Sequence, residues 1–420
     1  MKFRPLMFSV FLYLSLTSVV AEGATLCVNT QGTDRCYNSI SEAVAAAGVN
    51  DVIHIGAGTY RESVTITKPV SLVGQHAVID ASGLSRGIFV NGMAAPGLAQ
   101  VHISGLTVLN ANFEGILVAN ASAVTISDSI IANNNHSLSG ATCPGIEAFE
   151  PGEQNDCGEG IHLLGADHAI VTHNQVHGNS GGILLSDDTG PTHDNLVSLN
   201  TVTDNPFACG IVLASHVPAA VSGSAQSLGV FHNTIWKNFS SGNGVKVDGG
   251  AGIGIFASVP GAASYGNVII ENVLTRSGHP GIALHAHAPN QKLNDNMLVG
   301  NGIADNGADT ADAATPGSTG INVFSVVPAT GNIISENTIQ QETNDVAVNN
   351  SSLVQVEFNN LVGHGAGVKN LGTGPVDATL NFWGCEAGPA ARGSGCSTVD
   401  DPNILFAPWL SSIAPLDPKF

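Results

Sequence analysis

What most limits the fold of this chain is a short unit that recurs along it and is too small to bury its own apolar face. Gly followed by alternating apolar residues appears as GIFV (87–90), GILV (115–118), GIHL (160–163), GILL (182–185), GIVL (210–213), GIGI (252–255), GIAL (281–284) and GINV (320–323). A second unit follows each, with Asn or Asp ahead of a small and then an aliphatic residue, as in VTHNQV, VSLNTV, VFHNTI, IIENVL, LNDNML, ISENTI, VEFNNL and ATLNFW. Their asparagines are Asn174, Asn200, Asn233, Asn272, Asn296, Asn337, Asn359 and Asn381, with gaps of 26, 33, 39, 24, 41, 22 and 22 residues. A gap of 22 reads as one bare coil, and the longer gaps as the same coil plus an inserted loop. Units of this size become stable only by stacking in register on their neighbours. A propeller blade needs roughly 40 to 50 residues, and a leucine-rich repeat needs far more leucine. The pattern predicts a single all-β domain, a right-handed parallel β-helix of about 11 to 12 coils. Its asparagines should lie one above the next at strand spacing, as an amide ladder at a turn.

Composition fits stacked strands. Fifty glycines among 420 residues, with 11% charged and 43% hydrophobic, suit short strands and tight turns better than long helices or disorder. The net charge of −20 argues against nucleic acid and anionic lipid as partners. MKFRPLMFSVFLYLSLTSVVA has a basic start, an apolar run and small residues at Val19 and Ala21, so a signal peptide over 1–24 and a secreted or periplasmic protein are expected. No later stretch is long enough for a membrane span. Six of the seven cysteines form local pairs, predicting bridges Cys27–Cys36, Cys143–Cys157 and Cys385–Cys396, with Cys209 a small buried thiol. The remaining division is a cap with first coils over 25–80, the β-helix over 81–380 and a C-terminal cap over 381–420. Ser39 should cap a short helix that presents Ile40, Val44 and Ala47 to the first coil. NFWGCEAGPAARGSGC and FAPWL should close the other end. A monomer is expected.

The stretch AVAAAGVNDVIHIGAGTYRESVTITKPVSLVG resembles the first coils of the pectate-lyase-like superfamily of secreted β-helix proteins. That superfamily holds polysaccharide lyases, pectin methylesterases, polygalacturonases, alginate epimerases and NosD-type periplasmic proteins. GGILLSDDTGPTHDN, TVTDNPFACGIVLASH and GIALHAHAPN resemble, more narrowly, a group of secreted β-helix repeat proteins. The resemblance implies the fold and an extended polysaccharide as partner.

Outward residues of one sheet form columns, so the repeats can be aligned to find side chains that meet. With Leu185, Leu213 and Leu284 at one inward position, Asp188, His216 and His287 share a column three residues on. Ser186, Ala214 and His285 share another, one residue on. The coil of GIGIFASV passes Phe256 through that second column and Ser258 through the first. Asp188 and His216 should then sit on adjacent coils, roughly 5 Å apart, with His287 two coils beyond. A carboxylate beside an imidazole can fix its tautomer and poise it as a base, and a second His can serve as acid. The candidate catalytic set is Asp187, Asp188, His216, His285 and His287. Candidate substrate contacts are Phe256 as a ring for a sugar face, His193 at the groove rim, and Lys246 and Arg276 as the basic residues of the central coils. His162 and His232 fall at other positions and are left out of the set.

Glu147, Glu150 and Asp156, in the loop CPGIEAFEPGEQNDC, are candidate oxygen ligands for Ca²⁺. The pair Asp187–Asp188 is similar to that of polygalacturonases, whose accompanying Asn-Thr-Asp, Gly-His-Gly and Arg-Ile-Lys segments are not found nearby. Gly363-His364-Gly365 lies too far along. The Asp-Pro-His-Asp motif of alginate epimerases is absent as well. Lyase or epimerase chemistry on a uronic acid is favoured over hydrolysis. The alternative is a non-catalytic polysaccharide-binding or surface-structural protein, or a NosD-like protein handling copper through His285 and His287.

Overall fold

The structure is a computed structural model that describes residues 23–135, 145–150, 158–216, 229–246, 249–311, 314–363, 365–390 and 395–414. Residues 1–22 of the predicted signal segment and the Cys143–Cys157 pair lie outside the described residues. The chain winds into one long parallel stack. Twelve strands, from Val64–Ile66 to Thr398–Val399, pair in chain order, one per coil. A second, 23-stranded sheet wraps the remaining sides, and Thr192–His193, Val230–Phe231 and Ser264–Tyr265 form a small third sheet between them. Helix Ile40–Ala46 covers the first coils, with the Ser39 side chain accepting from Glu42 N. Ile40, Ala43 and Val44 of this helix are buried. At the far end Trp383 is fully buried beside the Cys385–Cys396 bridge, and Phe406 stacks on Trp409. Cys27–Cys36 is the other bridge of the described residues. Among these residues no helix is long and apolar enough to cross a membrane.

The register explains the repeated Gly-Ile. Val118, Leu163, Leu185, Leu213, Ile255, Leu284 and Val323 stack as one inward column, all of them 0% exposed. Burying each side chain stabilises the coil by roughly 1.5–3 kcal/mol. Three residues earlier stand the glycines. A Cβ on Gly182 would lie 2.0 Å from the carbonyl oxygen of Gly210, and one on Gly210 would lie 2.7 Å from that of Gly252. At this corner successive coils approach too closely for any side chain.

The amide ladder exists, but it is not the single series of the sequence reading. Asn174, Asn200, Asn238, Asn272, Asn301, Asn337, Asn359 and Asn381 form one column. Asn195, Asn233, Asn267, Asn296 and Asn332 form another. Asn233 and Asn296 thus belong to a different corner from Asn200 and Asn272. The physical reason is that two corners flank one three-residue strand, so each coil carries asparagines five residues apart, as at Asn195 and Asn200. A third ladder, Asn134–Asn179–Asn205–Asn243, follows another five residues on. Each rung is fully used. Asn200 N and Nδ2 both donate to Asn238 Oδ1 at 3.0 Å, while Asn238 Nδ2 donates to Val197 O and to Asn272 Oδ1.

Replacing Asn238 by Leu strands several of these buried groups, at about 1–3 kcal/mol each. The variant should lose about 3 kcal/mol or more in equilibrium urea unfolding, whereas Asn112→Ala, at an exposed side chain, should stay within about 0.5 kcal/mol.

Candidate functional site

The outer face of the twelve-stranded sheet carries the chemistry-bearing residues. Strand alternation turns two columns outward on either side of the inward leucines. One runs His162, Leu184, Val212, Gly254, Ala283, Asn322. The other runs Leu164, Ser186, Ala214, Phe256, His285, Phe324. Near the start of these strands Arg86, Glu114 and Glu159 occupy successive rungs, because Ile88 pairs with Ile116 and Ile116 with Ile161.

That start is a buried charge cluster. Segment 145–150 packs down on it, with Phe149 stacked on Phe89 at 6.2 Å over Leu117, Ala119 and Leu164. Arg86 Nε faces Glu114 Oε2 at 2.6 Å, its two terminal nitrogens each donate to Glu147 at 2.7 Å, and Nη2 also donates to Glu150. Burial works against the Arg86 charge, but the three carboxylates outweigh it and hold the guanidinium protonated. Burial pushes Glu114 up to about 7, helped by Glu150 and opposed by Arg86. It also pushes Glu150 up to about 7 against the pull of Arg86. Of the candidate calcium ligands, Glu147 and Glu150 therefore converge on Arg86, and Asp156 lies outside the described residues.

A hydrogen-bond chain leads from this cluster to the middle of the sheet. His162 Nδ1 lies 3.6 Å from Glu150 Oε1, and Nε2 lies 2.8 Å from Ser186 Oγ. Ser186 Oγ donates to Asp188 Oδ2 at 2.8 Å, and His216 Nδ1 lies 3.1 Å from the same oxygen. Burial drives the His162 ring down to about 4, leaving it neutral. For Asp188, burial raises the pKa, but the His216 charge and the bonds from His216 and Ser186 outweigh it and hold the group below its ordinary value. Asp187 has different duties. It accepts from Ser215 Oγ, His216 N and Gly229 N, which pins the backbone that carries His216.

The remaining sequence candidates fall in three places. His285 and His287 lie two rungs past His216, with ring centroids 5.5 Å apart. His285 is buried near Asp309 (3.9 Å), and His287 is exposed and stacks on Phe324 at 4.8 Å. Phe256 packs 5.3 Å from His285, on the cluster of Leu184, Val212, Ala283 and Cys209, and its ring lies over Gly254, where a Cβ would come within 2.5 Å. The Cys209 thiol is buried there and accepts from Ala251 N. His193 is on the small third sheet, stacked face to face with Phe231 (4.9 Å), which stacks on Tyr265. Lys246 is exposed over Phe207, and Arg276 donates to Ser241 Oγ (3.0 Å) ahead of strand Ile282–Ala286. The sequence placed Ser186 in an outward column but not in the candidate set, left His162 out of that set, and carried no signal for Glu114, Arg86 and Asp309. The signal for His162 was its outward place in GIHL, one residue before the inward Leu163.

The folded pKa of Asp188 is depressed, so its contribution to stability is present above the unfolded value and is lost as pH falls through the folded one. Asp188→Asn should cost about 3–5 kcal/mol at pH 7. In thermal unfolding across pH, the gap between variant and wild type should close below the ordinary carboxylate range.

A family model described as the right-handed beta helix region matches residues 82–255. A search of curated proteins finds no match to this chain. Among solved structures, the Dettilon tailspike protein is similar over 91% of this chain and 68% of its own, with 14% identity and a TM-score of 0.51. The A-module of the Azotobacter vinelandii mannuronan C-5 epimerase AlgE4 is similar over 86% of this chain and 94% of its own, with 15% identity and a TM-score of 0.48. The catalytic unit of the GH87 α-1,3-glucanase of Streptomyces thermodiastaticus covers 88% and 65%, with 14% identity and a TM-score of 0.47. Strand order, register, the family match and the likeness to the tailspike agree, and the chain has the fold of the right-handed parallel β-helix proteins.

Proposed function

We propose that this is a secreted enzyme acting on an extended polysaccharide laid along the outer face of the twelve-stranded sheet, with His216 as the proton-transferring group. The observation that carries the reading is the pair Asp188–His216: a carboxylate that is 0% exposed, 3.1 Å from an imidazole that is 14% exposed. Asp188 cannot touch a substrate. It can hold the His216 proton on Nδ1 and leave the lone pair of Nε2 as a general base. Such a base suits removal of the proton beside the carboxylate of a uronic acid. Expulsion of the neighbouring glycosidic oxygen then gives a lyase product, and return of a proton from the opposite face gives an epimer.

Hydrolysis by paired carboxylates has less support. It needs two reachable carboxyl groups, whereas Asp187 is committed to Ser215, His216 and Gly229, and Asp188 to Ser186 and His216. His287 is exposed and two rungs, about 10 Å at strand spacing, from His216, which supports a role for it at a neighbouring sugar of the same chain. The two bridges of the described residues support an oxidising compartment.

The test is a panel of acidic and neutral polysaccharides, read by ultraviolet absorbance of unsaturated product, by reducing ends and by proton exchange at the uronate C5. His216→Ala should fold normally and lose about 100-fold or more in kcat. Turnover left intact by that substitution, or no product from any member of the panel, would overturn the reading.

A further inference from the structure

The charge cluster holds a feature that the proton-transfer reading does not use. One carboxylate oxygen each of Glu114 and Glu159 and one ring nitrogen of His162 lie within 4.8 Å of one another, and all three residues are buried. His162 Nε2 is engaged with Ser186 Oγ, whose own proton goes to Asp188 Oδ2. Nε2 must therefore be the protonated nitrogen, and the lone pair of Nδ1 is turned inward. Nδ1 has no hydrogen bond in its wholly buried position, and the Glu150 carboxylate stands 3.6 Å away. Glu114 Oε1 and Glu150 Oε1 are likewise buried without a hydrogen bond. A lone pair and ionised carboxylate oxygens facing one another repel unless a proton or a cation lies between them. Arg86 lies to one side, spread over Glu114, Glu147 and Glu150. Glu114, Glu147 and Glu150 outnumber the one guanidinium that they face. Gly181 gives Glu159 its room, since a Cβ there would come within 3.3 Å of the Glu159 side chain.

We infer that Glu114, Glu159 and His162, with Glu150 at their side, bind a divalent first-row transition-metal ion in a closed site on the outer face of the sheet. The donor set decides the class of ion. An imidazole nitrogen with carboxylates suits Mn²⁺ or Zn²⁺, whereas Ca²⁺ takes oxygen ligands only. The far nitrogen of His162 has the outer-shell partner that metal-bound imidazoles usually have. Here that partner is Ser186, which leads on to Asp188 and His216. The metal is a positioning element for this chain of bonds, and its binding does not depend on the enzymatic reading.

The experiment uses the full chain, stripped with EDTA and titrated separately with Mn²⁺, Zn²⁺ and Ca²⁺. Mn²⁺ or Zn²⁺ should remain at about one equivalent after desalting and raise the thermal midpoint by about 3 °C or more. Pulsed EPR of the Mn²⁺ form should show coupling to one imidazole nitrogen. Glu114→Gln and Glu159→Gln should each weaken binding about 10-fold or more. Retention of neither Mn²⁺ nor Zn²⁺, retention of Ca²⁺ alone, or bound Mn²⁺ without imidazole coupling would each overturn the inference. The EPR arm is read on the wild-type protein, so it holds even where a variant fails to fold.

Discussion

A buried amide must find partners for two donors and a carbonyl, and in this chain it finds them one coil above and one coil below. The three asparagine ladders bind side chain to side chain and side chain to backbone at every rung, as Asn200 does with Asn238 and Val171. Because an unpaired buried amide is costly, a coil cannot slip by one residue without losing bonds at several corners at once. Loop length is free under this constraint. Neighbouring asparagines of one column are separated by 26, 38, 34, 29, 36, 22 and 22 residues, yet the rungs remain in register.

Fixed register turns sequence into columns, and columns assemble the site. Arg86, Glu114 and Glu159 meet because their strands pair, and His162 lies three residues on from Glu159. The chain Glu150–His162–Ser186–Asp188–His216 then crosses three neighbouring coils and ends on the one imidazole of the series that reaches solvent. The fold puts the costly buried charge at one end of this path and a partly exposed imidazole at the other. The two ends are linked by bonds of 2.8 to 3.1 Å, with the longer 3.6 Å His162–Glu150 contact at the start.

The parts legible in the sequence were those written in short-range period. The Gly-Ile spacing gave the coil, the inward leucines gave the register, and the register put Asp188 beside His216. The ladders were blurred because asparagines at two corners, five residues apart, have the same neighbours in sequence, so Asn233 and Asn296 joined the wrong series. Glu147 looked like a calcium ligand because acidic loops have that composition, and its true partner, Arg86, is 61 residues away with no period to link them. His162 was passed over because its meaning depends on Ser186 one coil on and Glu150 in an inserted segment.

The central claim is that buried bonds fix the proton on His162 Nε2 and on His216 Nδ1. Nitrogen-15 NMR of histidine-labelled protein reads both tautomers directly, with His162→Gln and His216→Gln for assignment. The account predicts that His162 stays neutral, protonated on Nε2, from about pH 5 to 8, with neutral His216 protonated on Nδ1. A His162 that titrates within that range, or carries its neutral proton on Nδ1, would contradict it.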